Sequence, residues 1–337
     1  MRHYVIAGIL VIVGAILTYL GLMAANLMPV EASVQSISID WLWHLEMITI
    51  SFLFALIVVP LFYSLVVFRR KRGDDTDGKH MEGNMTLEIT WTVIPLFLVV
   101  AFAYMGAYSL GETRRVDPNA MIIKVTGFQW AWKFDYPSYG FSSDELHLPV
   151  DKQVLLQMES PDVIHSFWVP EFRIKQDVVP GRITQYRVTP SLIGDYKVRC
   201  SELCGISHAY MEAPVIVVSQ QDFDAWATQQ KAAAEALANT PGPEAGRATA
   251  QSMGCFACHT TDGSKLIGPT WRGLYESQVH LADGTTVTAD EAYLKQSILE
   301  PQSQVVNGFP PMSFNPQAMG ITDLQVSNII EYIKTLK

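Results

Sequence analysis

Three long apolar runs open the chain, and shorter alternating segments follow them. Tyr4 to Met28 is the first run, preceded by Arg2 and His3. Leu45 to Phe68 is the second, uncharged except for Glu46 at its entrance. Leu87 to Leu110 is the third, with Glu88 near its start. A helix of about 24 residues spans roughly 36 Å, enough to cross a bilayer core with some tilt. Pro60 and Pro95 lie inside runs two and three, where they bend a membrane helix rather than veto it. The pattern predicts an N-terminal hydrophobic segment with a short external loop over 1–40 and a two-helix transmembrane hairpin over 41–112.

Two readings of the first run stand open. A basic start and the small-residue exit at Glu31-Ala32-Ser33 suit a cleaved export signal. An apolar core longer than a usual signal core suits a retained helix, and this is the favoured reading. Orientation does not depend on the choice. Arg69, Arg70, Lys71, Arg72 and Lys79 all fall between runs two and three, whereas no Lys or Arg separates runs one and two. The 69–86 loop is therefore cytoplasmic, and everything after Leu110 lies outside.

Residues 113–219 carry short strand-like segments. Met121–Val125, Val154–Met158, Gln185–Val188, Tyr196–Val198 and Ala213–Val218 are separated by turn signals such as Pro180-Gly181 and Gly194-Asp195. They predict an antiparallel sandwich or barrel. Gln and Ala dominate from 220 onward, and Asn239-Thr240-Pro241-Gly242-Pro243 breaks any helix, so 220–245 is a linker, part helical and part flexible. Residues 246–337 form a small, mostly helical domain. Its last stretch, Thr322 to Leu336, is amphipathic, with Thr322 as N-cap.

Composition sharpens this picture in two places. Hydrophobic residues make up 49% of the 337, consistent with the membrane spans, and the net charge of −9 without a basic stripe excludes nucleic-acid binding. The four cysteines, Cys200, Cys204, Cys255 and Cys258, form two tight local pairs. Two disulfides would be the plain reading for an exported domain.

The surroundings of each pair point to metal chemistry instead. From Cys200 to Met211, two thiols, the His208 imidazole and a thioether fall within twelve residues. Such soft donors select copper over hard cations. Cysteines four apart on one loop can aim both sulfurs at one point, where each could bridge two metals. His165, on a separate strand end, can supply a second imidazole. Zinc would have no need of Met211, and a mononuclear blue-copper site would have no need of the second cysteine. Cys255-Phe256-Ala257-Cys258-His259 reads as covalent c-type haem attachment, with His259 as one axial ligand. Met312, in the proline-restrained loop Gly308–Met312, is the favoured second axial ligand over His280 and Met319.

These motifs resemble a known family. Cys-Ser-Glu-Leu-Cys-Gly-x-x-His-x-x-Met is similar to the dinuclear copper (CuA) loop of subunit II of the haem–copper cytochrome c oxidases. The segment Asp162 to Pro170 is similar to that family's Asp-x-x-His-Ser-x-x-x-Pro. The resemblance implies a cupredoxin-like fold for 113–219. It also implies His165, Cys200, Glu202 (through its backbone carbonyl), Cys204, His208 and Met211 as copper ligands, with the Glu202 side chain on a magnesium ion at the subunit I interface. Gly127 to Trp132 resembles the family's Gln-Trp-Tyr-Trp segment, with Ala131 in place of the usual Tyr. Trp130 is then the point where electrons enter the copper site, unless these aromatics simply pack a β-core. Glu88, within Leu87 to Pro95, matches the acid at the mouth of a proton channel, unless it is an interfacial carboxylate reaching for water. The 308–312 loop and Gly268-Pro269 resemble parts of class I cytochromes c.

The functional expectation follows from that resemblance. It is the electron-accepting subunit of a respiratory terminal oxidase: haem c to dinuclear copper to subunit I, where oxygen is reduced and protons are translocated. Implied partners are subunits I and III and an external donor: a cytochrome c, a copper protein or a quinol-oxidising complex. The implied location is the bacterial cytoplasmic membrane, multi-pass, with the soluble domains on the extracytoplasmic side. A membrane-anchored electron carrier and the electron-accepting subunit of a nitric or nitrous oxide reductase are the alternatives.

Overall fold

The computed structural model describes residues 1–74, 76–78, 80–238, 240–312 and 316–337. Lys79 and Asn239, invoked above, lie outside the described residues, as does the side chain of Met319. The chain divides into two compact units, Met1–Glu31 with Gln35–Arg115, and Ala32–Val34 with Val116–Lys337.

The first unit is three helices, α1 (Arg2–Ala24), α2 (Val34–Val67) and α3 (Met85–Thr113), each long and apolar enough to cross a membrane. Their large side chains are mostly exposed, as lipid-facing helices require. Small and hydroxylated residues make some of the contacts between them, and His3 of α1 meets Tyr63 of α2 at 2.8 Å. A Cβ on Gly14 would lie 3.2 Å from Val59, so α1 and α2 approach closely there. Ser38 and Ser109 hydroxyls meet at 2.6 Å between α2 and α3. Helix α2 begins eleven residues before the apolar run at Leu45. Its first turns carry Gln35, Ser36, Ser38 and Asp40, which no hydropathy window would include.

The second unit starts with ten strands: β1 (Met121–Phe128), β2 (Ala131–Tyr136), β3 (Phe141–Ser143), β4 (Leu146–Pro149), β5 (Val154–Glu159), β6 (His165–Val169), β7 (Ile174–Val178), β8 (Thr184–Val188), β9 (Gly194–Cys200) and β10 (Glu212–Val218). They form two five-stranded sheets, ordered β3-β2-β1-β5-β8 and β4-β10-β9-β6-β7. The sandwich is as expected, and most pairs are antiparallel. Two are parallel, β1 with β5 and β10 with β4. Alternating burial reads the same for either direction, so the pattern could not distinguish them. Phe134, Phe167, Leu148, Leu156, Val198 and Val215 fill the space between the sheets. Ala32 to Val34 adds to this unit: the Ala32 amide donates to the Glu171 carbonyl at 3.0 Å, and Ala32 is fully buried.

Helix α4 (Gln220–Ala238) follows β10 and packs on the sandwich. Phe223 and Ala227 are buried, and Trp226 stacks on His147 with centroids 3.9 Å apart. The C-terminal part has α5 (Pro243–Ser252), α6 (Glu291–Leu299) and α7 (Asp323–Thr335) around a small hairpin, β11 (Gln278–His280) and β12 (Thr286–Thr288). Thr322 caps α7 in a reciprocal capping box with Gln325. Helices α5 and α7 cross in contact, since a Cβ on Gly246 would sit 1.8 Å from the Asn328 carbonyl oxygen.

Candidate functional site

Strand pairing brings the first cluster together. β6 starts at His165, β9 ends at Cys200, and Phe167 pairs with Cys200 across the two. The Cys200 amide donates to the Met211 carbonyl at 3.0 Å, closing the neck of the 201–210 loop. The Ser201 amide donates to the Ser166 carbonyl, also at 3.0 Å, and ties the loop to β6. The ladder thus delivers three of the donors at the loop's base.

Inside the loop, Cys200 Sγ and Cys204 Sγ lie 3.7 Å apart, well beyond the about 2.05 Å of a disulfide, and both thiols are free. His165 Nδ1 and the two sulfurs lie within 4.8 Å of one another and are all buried. Cys200 Sγ is 3.2 Å from the Glu202 carbonyl oxygen. Cys204 Sγ faces His208 Nδ1 at 3.5 Å and Met211 Sδ at 3.8 Å. All six donors expected from the sequence thus converge around the sulfur pair. The Glu202 residue itself is exposed.

Burial opposes charge on both thiols. At Cys200 the bonds to His165 and to the backbone at Glu202 and Ser166 outweigh it, bringing the thiol down to about 6. Burial and the neighbouring Cys200 charge push Cys204 up to about 12. The two thiols are thus pushed in opposite directions, and a bound cation would favour the thiolate form of both. Soft, nearly dehydrated donors of this kind fit copper.

Asp162 was quoted only as part of a motif, yet it organises this cluster. His165 Nε2–H donates to Asp162 Oδ1 at 2.9 Å, which leaves Nδ1 facing the sulfurs. The Gln129 amide donates to Asp162 Oδ2 at 2.7 Å. Burial alone would raise the Asp162 carboxyl; the bonds from His165, Gln129 and Val163 hold it below the usual range. Burial would lower the His165 imidazole, but Asp162 and Cys200 raise it.

The aromatic segment splits into two roles. Trp132 is 3% exposed and packs edge-on against Phe167, a core residue. Trp130 is half-buried, and its Nε1–H donates to the Cys204 carbonyl at 3.2 Å, beside Gln129 Nε2 at 2.6 Å. Gly205, at φ +125°, permits this: a Cβ there would sit 2.9 Å from the indole.

The second cluster surrounds the Cys255–His259 turn. The His259 amide donates to the Cys255 carbonyl at 3.0 Å, and the Gly268 amide donates to the Cys258 carbonyl at 2.9 Å. His259 Nδ1–H donates to the Pro269 carbonyl at 2.7 Å, so Nε2 is the nitrogen left to bind a metal. Gly268 must lack a side chain, because a Cβ would lie 2.7 Å from the ring. Burial lowers the His259 imidazole, with the Pro269 bond only partly offsetting it. Burial pushes Cys255 up to about 12 and Cys258 up to about 11.

Cys255, His259 and Met312 line one crevice of about 930 Å³, walled by Trp271, Leu294, Ile298 and Phe309. Its apolar walls suit a porphyrin. His280 is not among the crevice residues; it is exposed on β11 and bonds Thr286 at 2.9 Å. Glu88 lies elsewhere, exposed in the first turn of α3. Its carboxylate accepts from the Asn84 amide at 3.3 Å, while Asn84 accepts from the Leu87 amide.

Comparisons with known proteins agree with this organisation. The transmembrane domain of cytochrome c oxidase subunit II matches residues 21–110, its periplasmic domain residues 141–220, and cytochrome c residues 243–337. Cytochrome c oxidase subunit 2 of Alkalihalophilus pseudofirmus is 33% identical over 298 residues, covering 85% of this chain and 83% of the relative. That of Synechocystis is 34% identical over 283 residues, covering 69% and 85%. The periplasmic domain of subunit II from Bradyrhizobium japonicum, a crystal structure, is 33% identical, spans 34% of this chain and 97% of that one, and has a TM-score of 0.33. The chain belongs to the cytochrome c oxidase subunit II family, and carries a cytochrome c domain at its C-terminal end.

Proposed function

We propose that this subunit takes single electrons from an external donor at a haem c and hands them, by way of a dinuclear copper centre, to the oxygen-reducing site of subunit I, coupled to proton translocation. His165, Cys200, Cys204, His208, Met211 and the Glu202 carbonyl hold the copper pair in this reading. Cys255 and Cys258 hold the haem covalently, with His259 and Met312 on the iron. When bound, the two groups supply the one-electron chemistry that the side chains lack. The protein keeps the sulfur pair dry, fixes His165 through Asp162 and fixes His259 through Pro269. Little rearrangement is then needed between redox states.

The exposed Glu202 carboxylate is a hard oxygen donor suited to magnesium at the subunit I boundary. Glu88 marks the mouth of a proton path into subunit I. Residues 113–219 act as the copper domain, 220–245 as the linker and 246–337 as the haem domain. Subunit III and a cytochrome c, copper protein or quinol-oxidising complex complete the assembly. The apolar helices support a location in the bacterial cytoplasmic membrane, with both redox domains outside.

One observation carries this reading: two unbonded thiols 3.7 Å apart, ringed by two imidazoles, a thioether and a backbone carbonyl. Metal analysis and electron paramagnetic resonance of the purified oxidase test it. A delocalised mixed-valence copper pair and one covalent haem are expected. Met312→Ala should change the haem spectrum and slow donor oxidation while the copper signal stays intact. Equal loss of both centres would contradict separate sites.

A further inference from the structure

We propose that Trp271 is a positioning residue for His259: its indole face stops the imidazole from turning and so sets the redox potential of the haem that His259 would ligate. This rests on the preceding assignment of His259 to the iron.

One hydrogen bond does not fix an imidazole. The ring turns about its Cβ–Cγ bond, a broad torsion with shallow wells. The bond from Nδ1–H to the Pro269 carbonyl, at 2.7 Å, fixes the tautomer and restrains one edge of the ring. The Gly268 backbone closes on the same edge, since a Cβ there would fall 2.7 Å from Cε1 and 2.9 Å from Nδ1. The face of the ring needs a separate restraint, and Trp271 supplies it. The two rings stack with centroids 5.3 Å apart and 26° between their planes. Aromatic pairs about 4.5–7 Å apart attract in this offset arrangement.

The indole is itself held on three sides. The Trp271 amide donates to the Thr260 carbonyl at 2.8 Å, and the Thr270 hydroxyl donates to the same carbonyl at 3.0 Å. Segment 268–271 is thereby laced to 258–260, on both sides of His259. Phe256 meets the indole edge-on at 5.6 Å, Tyr332 of α7 meets it at 6.4 Å, and these two rings meet each other at 6.2 Å. Trp271 is 6% exposed and lines the crevice with His259 and Met312. Phe256 belongs to the attachment motif and Tyr332 to the last helix, so one side chain couples both to the imidazole. Bulk alone would not need this residue: Leu294, Ile298 and Ile333 fill other parts of the wall without offering a plane to stack on.

The consequence is electronic. A hydrogen bond from Nδ1–H makes the imidazole a more basic ligand, which favours the oxidised iron. That bond is directional, so a ring that turns away from the indole swings Nδ1–H off the Pro269 carbonyl and weakens it. Trp271 therefore holds the potential down and keeps the haem ready to give up its electron.

Redox titration and electron paramagnetic resonance of the complete oxidase test this. Trp271→Leu should raise the ratio of reduced to oxidised haem at a fixed solution potential about tenfold. It should also spread the low-spin ferric resonance, as the imidazole takes more than one orientation. Trp271→Phe, which keeps a flat ring, should restore most of both. Tyr332→Leu removes a brace and leaves the indole, and should shift both in the same direction by less; it carries the test if Trp271→Leu fails to retain haem. Ile330→Ala, buried on α7 and outside the crevice lining, loosens the same core and should leave both unchanged. An unchanged ratio and resonance in Trp271→Leu and Tyr332→Leu, or an equal change in Ile330→Ala, would overturn the proposal. Lack of a covalent low-spin haem in the unaltered oxidase would instead overturn the assignment of His259.

Discussion

At the Cys200–Met211 cluster the donors are placed by strands; at the Cys255–Met312 crevice they are placed by turns and loops. His165 and Cys200 sit at strand ends in a hydrogen-bonded ladder, and Met211 is pinned to Cys200 by a backbone bond. The sulfurs and imidazoles converge through the protein's own framework. Cys255, His259 and Met312 instead line a mostly apolar crevice, with Met312 on a proline-rich loop. The first cluster is organised by the fold, whereas the second encloses a space that the proposed haem would fill as part of the domain's core. Small domains have little hydrophobic core to spare, so the second arrangement makes folding depend on the ligand.

The largest effect should come from emptying that space. A Cys255→Ala/Cys258→Ala double variant cannot attach haem, and the loss should be on the order of 5 kcal/mol, comparable to the whole stability of so small a domain. Hydrogen exchange would then show residues 243–337 unprotected and 121–218 still protected. Protection of both regions would mean that the crevice is held open without its ligand, and the contrast between the sites would fail.

A smaller effect is expected where α5 crosses α7. Gly246→Ala would place a methyl 1.8 Å from the Asn328 carbonyl oxygen and 2.4 Å from its carbon. The helices must separate, at a cost of about 1–3 kcal/mol. Calorimetry should show a lower melting transition for the haem domain, while the copper resonance stays as in the parent. A shift in the copper signal would show that the two sites share one cooperative framework.

Local chemistry was legible in the sequence; tertiary contact was not. The Cys200–Met211 spacing and the Cys255–His259 motif name their donors because each set lies on one short segment. His165 was found because Asp162 to Pro170 is itself a recognisable segment. By contrast, Trp271 acquires meaning only when Phe256, His259 and Tyr332 are brought around it. The part Asp162 plays needed the Gln129 amide and the His165 ring in one place. Alternating burial hid the parallel pairing of β1 with β5. Hydropathy hid the polar first turns of α2, and the 278–288 hairpin was too short to stand out from a helical surround.

The finest distinction concerns the surface of the haem domain. Lys334 on α7 donates to Glu291 at the start of α6 at 2.5 Å and to Glu331 at 2.6 Å, while lying over the Tyr275 ring. The bonds to Glu291 and Glu331 outweigh burial and raise the ammonium above its ordinary value. A raised folded-state value for a cation means stability that is fully present below the unfolded value, near 10.4, and lost as pH climbs through the folded one. Both carboxylates are solvent-exposed, while the Lys334 side chain is 22% exposed, so screening by water limits the contribution to about 0.5–1 kcal/mol. Lys334→Met should therefore lower haem-domain stability by that amount at pH 7, in denaturant titrations. The gap to the parent should persist up to about pH 10 and close above it. A gap that stayed constant to still higher pH would assign the effect to packing on Tyr275. It would then add to the case that this half of the molecule is held by apolar contact around its ligand.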